Sequence, residues 1–101
     1  MAAYWVARAK INDPVQYKKY TDLVPEIIAE YGGKVLARGG DYSTLEGPNT
    51  FERFIVIEFP STQAACDCHS SVAYQNARKF RLNGVGQNEL TIVSSGDATP
   101  K

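Results

Sequence analysis

The segment ERFIVIEF, at residues 52–59, decides how this chain folds. Its centre, Phe54-Ile55-Val56-Ile57, is apolar at consecutive positions and rich in β-branched residues, which predicts a β-strand from Glu52 to Phe59. An antiparallel strand with one face in water alternates apolar and polar residues, and this segment does not alternate. The sequence therefore predicts a strand whose two faces are both covered.

A second β-type run lies just before this strand, from Lys34 to Glu46. The residues between the two runs, Gly47-Pro48-Asn49-Thr50, have the composition of a turn. This arrangement predicts a β-hairpin of two long strands, and Gly39-Gly40 is interpreted as a bulge or bend within the first of them.

The N-terminal third of the chain predicts one strand and one helix. The strand runs from Tyr4 to Ile11, and the helix begins at Asn12-Asp13-Pro14 and ends at Gly32-Gly33. Pro25 removes one backbone donor and predicts a kink near Thr21. The apolar positions of the helix recur at spacings of three and four and form one face, which consists of Tyr17, Tyr20, Val24, Ile27, Ile28 and Tyr31.

The C-terminal third predicts a broken helix and a final strand. A short helix from Thr62 to Cys68 is interrupted at Ser70-Ser71, a second segment runs from Val72 to Arg81, and the strand covers Glu89 to Ser94. The element order is βαββαβ, which predicts an α+β, ferredoxin-like domain over residues 1–101 with a four-stranded antiparallel sheet. Residues 94–101 are expected to form a flexible tail. Because both sheet faces are apolar, we expect two copies to pair face to face as a homodimer.

Composition excludes several classes of partner. The 11 basic and 11 acidic residues give a net charge of zero, without the basic cluster that nucleic acid requires. No apolar run approaches the ~20 residues of a membrane span, and the N-terminus lacks the pattern of a signal peptide. Cys66 and Cys68 lie too close together for a disulfide framework. These features predict a cytoplasmic protein that binds neither nucleic acid nor membrane.

A set of short motifs follows in order from about residue 4 to residue 94. They are Tyr4-Trp5-Val6-Ala7-Arg8, Asp13-Pro14, Tyr31-Gly32-Gly33, Arg38-Gly39-Gly40, Leu45-Glu46-Gly47, Glu58-Phe59-Pro60-Ser61 and Ser71-x-x-Tyr74-Gln75. Together they resemble the family called domain of unknown function 1330, which is similar to the dimeric α/β-barrel superfamily. That resemblance implies a dimeric ferredoxin-like fold. The superfamily includes cofactor-free monooxygenases, muconolactone-isomerase-like enzymes and haem-dependent enzymes.

Two residues are candidates for catalysis. Counting back from the turn places Arg38 nearly opposite Glu58 once a bulge is allowed, so the pair either binds an anionic substrate group or only fixes the strand register. His69 is the one histidine and titrates near neutrality, although it also suits the end of a helix. The Cys-Asp-Cys-His run is not expected to hold a metal, because Cys66 and Cys68 point apart on a helix.

Two tyrosines complete the candidate site. Tyr17 and Tyr74 either pack the core or place hydroxyl groups in a cleft between the helices and the sheet, where Arg38 and Glu58 would also contact a substrate. The first hypothesis is a small-molecule-binding protein or a cofactor-independent enzyme of isomerase or monooxygenase type. Its ligand would be small and either anionic or aromatic. The alternative is a non-catalytic dimeric structural or regulatory module, and the sequence leaves open whether the protein is an enzyme.

Overall fold

The computed structural model describes residues 1–100, so Lys101 at the end of the predicted tail lies outside the described residues. The elements, in chain order, are β1 (Ala3–Ile11), α1 (Pro14–Glu30), β2 (Lys34–Arg38), β3 (Arg53–Phe59), α2 (Thr62–Ser70), α3 (Val72–Arg78), a 3₁₀ turn (Lys79–Arg81) and β4 (Gly86–Ser94). None of the helices in this part of the chain is long and apolar enough to cross a membrane.

The four strands form one antiparallel sheet in the order β2-β3-β1-β4. With both helical segments between the strand pairs, this is the predicted ferredoxin-like α+β arrangement, which the structure confirms. The central strand β1 sets the register, because Trp5 lies opposite both Ile57 and Ile92. Residues in such a row share one face of the sheet.

The local signals at the ends of α1 also hold in the structure. Asp13 caps the helix by accepting a hydrogen bond from the Gln16 amide at 3.1 Å, and Pro14 occupies the first turn. Gly32, at φ +78°, takes the left-handed conformation that stops the helix. The helix runs through Pro25 and buries Tyr17, Tyr20, Val24 and Ile28 against the sheet.

The long hairpin is wrong. β2 ends at Arg38, and residues 39–52 form an irregular segment, called the arm below, instead of continuing the strand. The bulge lies between Val35 and Ala37, at Leu36, and not at Gly39-Gly40. The arm cannot pair with β2 near its end because Glu52 is bound to β1: its amide donates to the Ala9 carbonyl, and its carboxylate accepts from the Ile11 amide.

The C-terminal elements agree closely with the sequence. Ser71 separates α2 from α3, accepting from the Tyr74 amide at 3.1 Å and donating to the Cys68 carbonyl at 2.7 Å. The last strand is longer than predicted and begins at Gly86. Its end is tied down, because the Ser95 amide donates to the Ala2 carbonyl.

The sheet face opposite the helices is called the outer face. It is identified by side chains that alternate with the buried Trp5 and Ala7, and by the residues paired with them. Its members are largely apolar even though nothing within residues 1–100 packs a second layer across it. They are Tyr4, Val6, Phe54, Val56, Thr91 and Val93.

Candidate functional site

A cavity of about 290 Å³ lies between α1 and the sheet. It forms where the central strand carries small side chains: Ala7 sits between Ile55 and Leu90, whereas the next row toward the start of β1 is filled by Trp5. The exposed members of the lining, Pro25 and Arg38, mark where the cavity meets solvent. The cavity is therefore open to a ligand from outside.

The lining is divided into an apolar part and a polar part. The apolar side chains come from the inner rows of the sheet and from α1, and they are Trp5, Ala7, Val24, Pro25, Ile28, Ile55, Ile57 and Leu90. The polar side chains are Tyr20, Thr21, Arg38, Arg53 and Asn88. Arg53 and Asn88 occupy one row across the sheet, both opposite Ala9, so the polar groups of the sheet gather at one end.

Two arginines give this polar end a positive charge. Arg38 lies opposite Ile55, and Arg53 lies two residues earlier on the same strand and therefore on the same face. No carboxylate lines the cavity, and the ion pairs found within residues 1–100 are Arg8 with Glu89 and Lys18 with Asp22. The Nε of Arg53 is buried without a hydrogen-bond partner. The arrangement suits an anion, because a guanidinium binds carboxylates through paired hydrogen bonds.

A chain of hydrogen bonds leads from the cavity wall into the core. Arg81, only 6% exposed, donates from Nη2 to the Tyr74 hydroxyl at 3.3 Å, and the hydroxyls of Tyr74 and Tyr20 are 2.7 Å apart. The Arg81 guanidinium also lies 5.1 Å from the centre of the Tyr20 ring. Burial, together with the neighbouring Tyr74, raises the pKa of Tyr20 well above its ordinary value, so its hydroxyl stays protonated at neutral pH.

Tyr17 and Tyr74 belong to the packed core next to the cavity and do not line it. The Tyr17 hydroxyl accepts from Nδ2 of Asn88 at 2.9 Å and so holds a cavity residue in place. Its ring fits because residue 86 is glycine: a Cβ there would lie 2.6 Å from the ring. Both tyrosines thus support lining residues from behind.

Glu58 and Arg38 are not opposite each other, so the predicted pairing is wrong. The bulge at Leu36 shifts the register, which places Glu58 opposite Lys34 and Tyr4 and Arg38 opposite Ile55. Glu58 therefore shares the outer face with Tyr4, away from the cavity. Of the predicted site residues, Arg38 lines the cavity and Glu58 does not.

His69 also lies outside the cavity lining. Its ring packs against Trp5 and Tyr74, with ring centres 5.9 and 5.1 Å away. Burial, and then the charges of Arg78 and Arg81, lower the pKa of His69, so the neutral imidazole is favoured. A role for His69 in catalysis stays a prediction.

The two cysteines face different surroundings. Cys68 is buried and Cys66 is exposed. Burial, together with the charge of Glu30, raises the pKa of Cys68 to about 11, which favours the unreactive thiol. Among the described residues, no cluster of three or more His, Cys, Asp or Glu side chains is placed to hold a metal ion.

The sequence interpretation missed the cavity residues Tyr20, Arg53 and Asn88 as site residues. Arg53 carried a usable signal, because it falls on the same strand face as Ile55 and Ile57, where a charged residue is unusual. Arg81 carried none, since its burial depends on how the 3₁₀ turn packs against α1.

The fold and the cavity define a ferredoxin-like α+β protein with an open cleft between helix and sheet. The chain belongs to the family described as "Domain of unknown function (DUF1330)", which matches residues 2–95. Comparison with curated proteins finds no match.

Three solved structures illustrate the similarity in fold. RPA0582, a protein of unknown function from Rhodopseudomonas palustris, has a TM-score of 0.75 at 19% identity, covering 95% of this chain and 83% of its own. SnoaB, a cofactor-independent oxygenase from Streptomyces nogalater, has a TM-score of 0.62 at 11% identity, covering 99% and 98%. A dimeric protein of unknown function and ferredoxin-like fold from Bacteroides fragilis has a TM-score of 0.63 at 11% identity, covering 93% and 96%. At these identities the comparison establishes the fold alone.

Proposed function

We propose that this protein binds a small organic anion with an apolar body in the cavity between α1 and the sheet. The observation that carries the proposal is the pair of arginines, Arg38 and Arg53, that line the cavity with no acidic side chain beside them. A guanidinium that gives up water without gaining a partner is costly, and the buried Nε of Arg53 has no partner within residues 1–100. An anionic ligand would supply one.

The shape of the cavity supports the same conclusion. Its volume of about 290 Å³ is close to the lower end of small-molecule sites. Aromatic and aliphatic walls, from Trp5 to Leu90, would hold the apolar body while the arginines hold the charge. This open, divided cavity favours small-molecule binding over the alternative of a non-catalytic structural or regulatory module.

A catalytic function is the second candidate, of isomerase or cofactor-independent monooxygenase type. The observation that favours it is the Tyr20 hydroxyl, a lining group joined through Tyr74 to the buried cation of Arg81. Such a hydroxyl can donate to an oxygen on which negative charge develops. The structural similarity to a cofactor-independent oxygenase is consistent with this candidate but, at 11% identity, does not carry it.

The first test measures anion binding in arginine variants. We expect titration calorimetry to detect binding of benzoate or phenylacetate but not of the neutral amide, benzamide. Arg38→Ala and Arg53→Ala should each weaken carboxylate binding about tenfold or more, because each removes a charge-assisted hydrogen bond. Lys34→Ala is the matched control: it removes the same charge from exposed β2 without touching the cavity.

If benzamide binds as well as benzoate, or if Lys34→Ala weakens binding as much as Arg53→Ala, the anion site is refuted. A general loss of positive charge would then explain the data. Melting temperatures of the three variants provide the check on folding, since the exposed Lys34 and Arg38 should change stability little.

We also propose that two copies associate through the outer face. Its apolar members remain accessible in the single chain, with Val6 43% and Val93 49% exposed. The radius of gyration is 14.1 Å, above the roughly 13 Å typical of 100 residues, and Leu45 in the arm is 90% exposed. An apolar face beside an extended arm fits a partner of the same kind, and the B. fragilis relative is described as dimeric.

This assembly is tested by a charge on the outer face. We expect sedimentation to give a dimer for the wild type and a monomer for Val6→Asp, because a buried, unpaired carboxylate opposes association. Leu23→Asp is the matched control, since Leu23 is similarly exposed, at 47%, but lies on α1. A wild-type monomer at micromolar concentration, or an unchanged dimer in Val6→Asp, would contradict the proposed interface.

A further inference from the structure

The wall of the cavity formed by α1 contains a break in the hydrogen bonding of the helix. Pro25 lies inside α1 and has no N–H, so the carbonyl of Thr21, four residues earlier, lacks its helical donor. The Thr21 hydroxyl does not substitute for that donor, because it donates to the Lys18 carbonyl at 3.2 Å. A proline here weakens the helix, so its position beside a cavity is informative.

Both ends of the missing hydrogen bond belong to the cavity lining. Thr21 and Pro25 line it together with Tyr20 and Val24 from the same helix. Carbonyl groups of a helix point toward its C-terminus, so the Thr21 oxygen points toward Pro25. The acceptor therefore lies at the cavity wall on α1, while Arg38 and Arg53 lie on the sheet side of the same space.

We infer that the ligand is an organic anion that also carries a hydroxyl or N–H donor, and that the Thr21 carbonyl accepts from this donor. The inference rests on the proposed anion site and adds a second point of recognition. The two arginines can only donate, so they select a carboxylate, whereas a free backbone carbonyl can only accept. The apolar wall between them suits a ring or short hydrocarbon, which makes hydroxy and amino derivatives of aromatic acids the ligand class.

The test closes the acceptor without changing the charges of the cavity. Pro25→Ala supplies the missing N–H, which should bond to the Thr21 carbonyl, and should raise the melting temperature. The probes are benzoate, the monohydroxybenzoates, aminobenzoates and methoxybenzoates, titrated calorimetrically into the wild type and the variant. We expect at least one hydroxy or amino isomer to bind the wild type about tenfold more tightly than benzoate and its methoxy counterpart.

In Pro25→Ala this preference should disappear while the affinity for benzoate stays the same. Pro14→Ala is the matched control, because Pro14 starts the same helix but does not line the cavity, and it should keep the preference. Hydrogen exchange should show protection of the amide that Pro25→Ala introduces. If that amide exchanges freely, the Thr21 carbonyl is not an available acceptor and the inference is overturned.

The ligand results separate two failures. If benzoate binds but no hydroxy or amino isomer gains affinity, or if the gain survives in Pro25→Ala, the acceptor role of Thr21 is wrong and the anion site remains. If no carboxylate in the panel binds the wild type, the proposed function fails, and the inference drawn from it fails as well.

Discussion

Ala7→Ile should abolish ligand binding while leaving the protein folded. Ala7 lies on the central strand at the floor of the cavity, between Ile55 and Leu90, and its small side chain creates much of the space. An isoleucine there would project into the volume that a ligand needs. Because it fills an existing cavity and suits a strand, stability should change by less than about 1 kcal/mol. We expect carboxylate affinity to fall by at least about 100-fold, the largest effect on binding of any single change proposed.

The neighbouring alanine on the same face provides the control. Ala9 is fully buried and is not part of the cavity lining, so Ala9→Ile has no space to fill and should cost about 1 to 3 kcal/mol by overpacking. Chemical denaturation measures both variants, and calorimetry measures binding. If Ala7→Ile unfolds the protein as readily as Ala9→Ile, the cavity is not open space in solution. If Ala7→Ile still binds benzoate at wild-type affinity, the ligand lies elsewhere.

The fold was predictable because its signals are local. The cap at Asp13, the glycine stop at Gly32 and the recapping serine at Ser71 act on neighbouring backbone groups, and each appears in the structure as expected. The alternation of side chains in β1 likewise separated the buried from the outer face. Element order then left few alternatives to the ferredoxin-like topology.

The site was harder to predict because it depends on register and on distant contacts. One extra residue at Leu36 moved Arg38 from the position opposite Glu58 to the position opposite Ile55. The end of β2 also depends on the arm, which is fixed at Glu52 by hydrogen bonds to β1 and not by any turn signal at Pro48. These contacts join residues far apart in sequence, and periodicity carries no information about them.

Tyr74→Phe should be more damaging to stability than the loss of one hydroxyl suggests. The Tyr74 hydroxyl is the hydrogen-bond acceptor for Arg81, whose charge is buried with no carboxylate partner among residues 1–100. Removing it leaves both that guanidinium and the Tyr20 hydroxyl short of a partner. We expect the free energy of unfolding to fall by about 2 to 3 kcal/mol, measured by chemical denaturation.

Replacing the cation itself should be far less costly. Arg81→Met keeps a long apolar side chain against the Tyr20 ring and removes the buried charge, so stability should stay within about 1 kcal/mol of the wild type. In that background, Tyr74→Phe should lose less stability than in the wild type, because no charge is left unpaired. Equal losses in the two backgrounds would contradict the coupling. If Arg81→Met proves as destabilising as Tyr74→Phe, the guanidinium contributes mainly through contacts that methionine cannot replace, and Arg81 is then a packing element of the 3₁₀ turn and not the end of a hydrogen-bond chain that leads to the cavity.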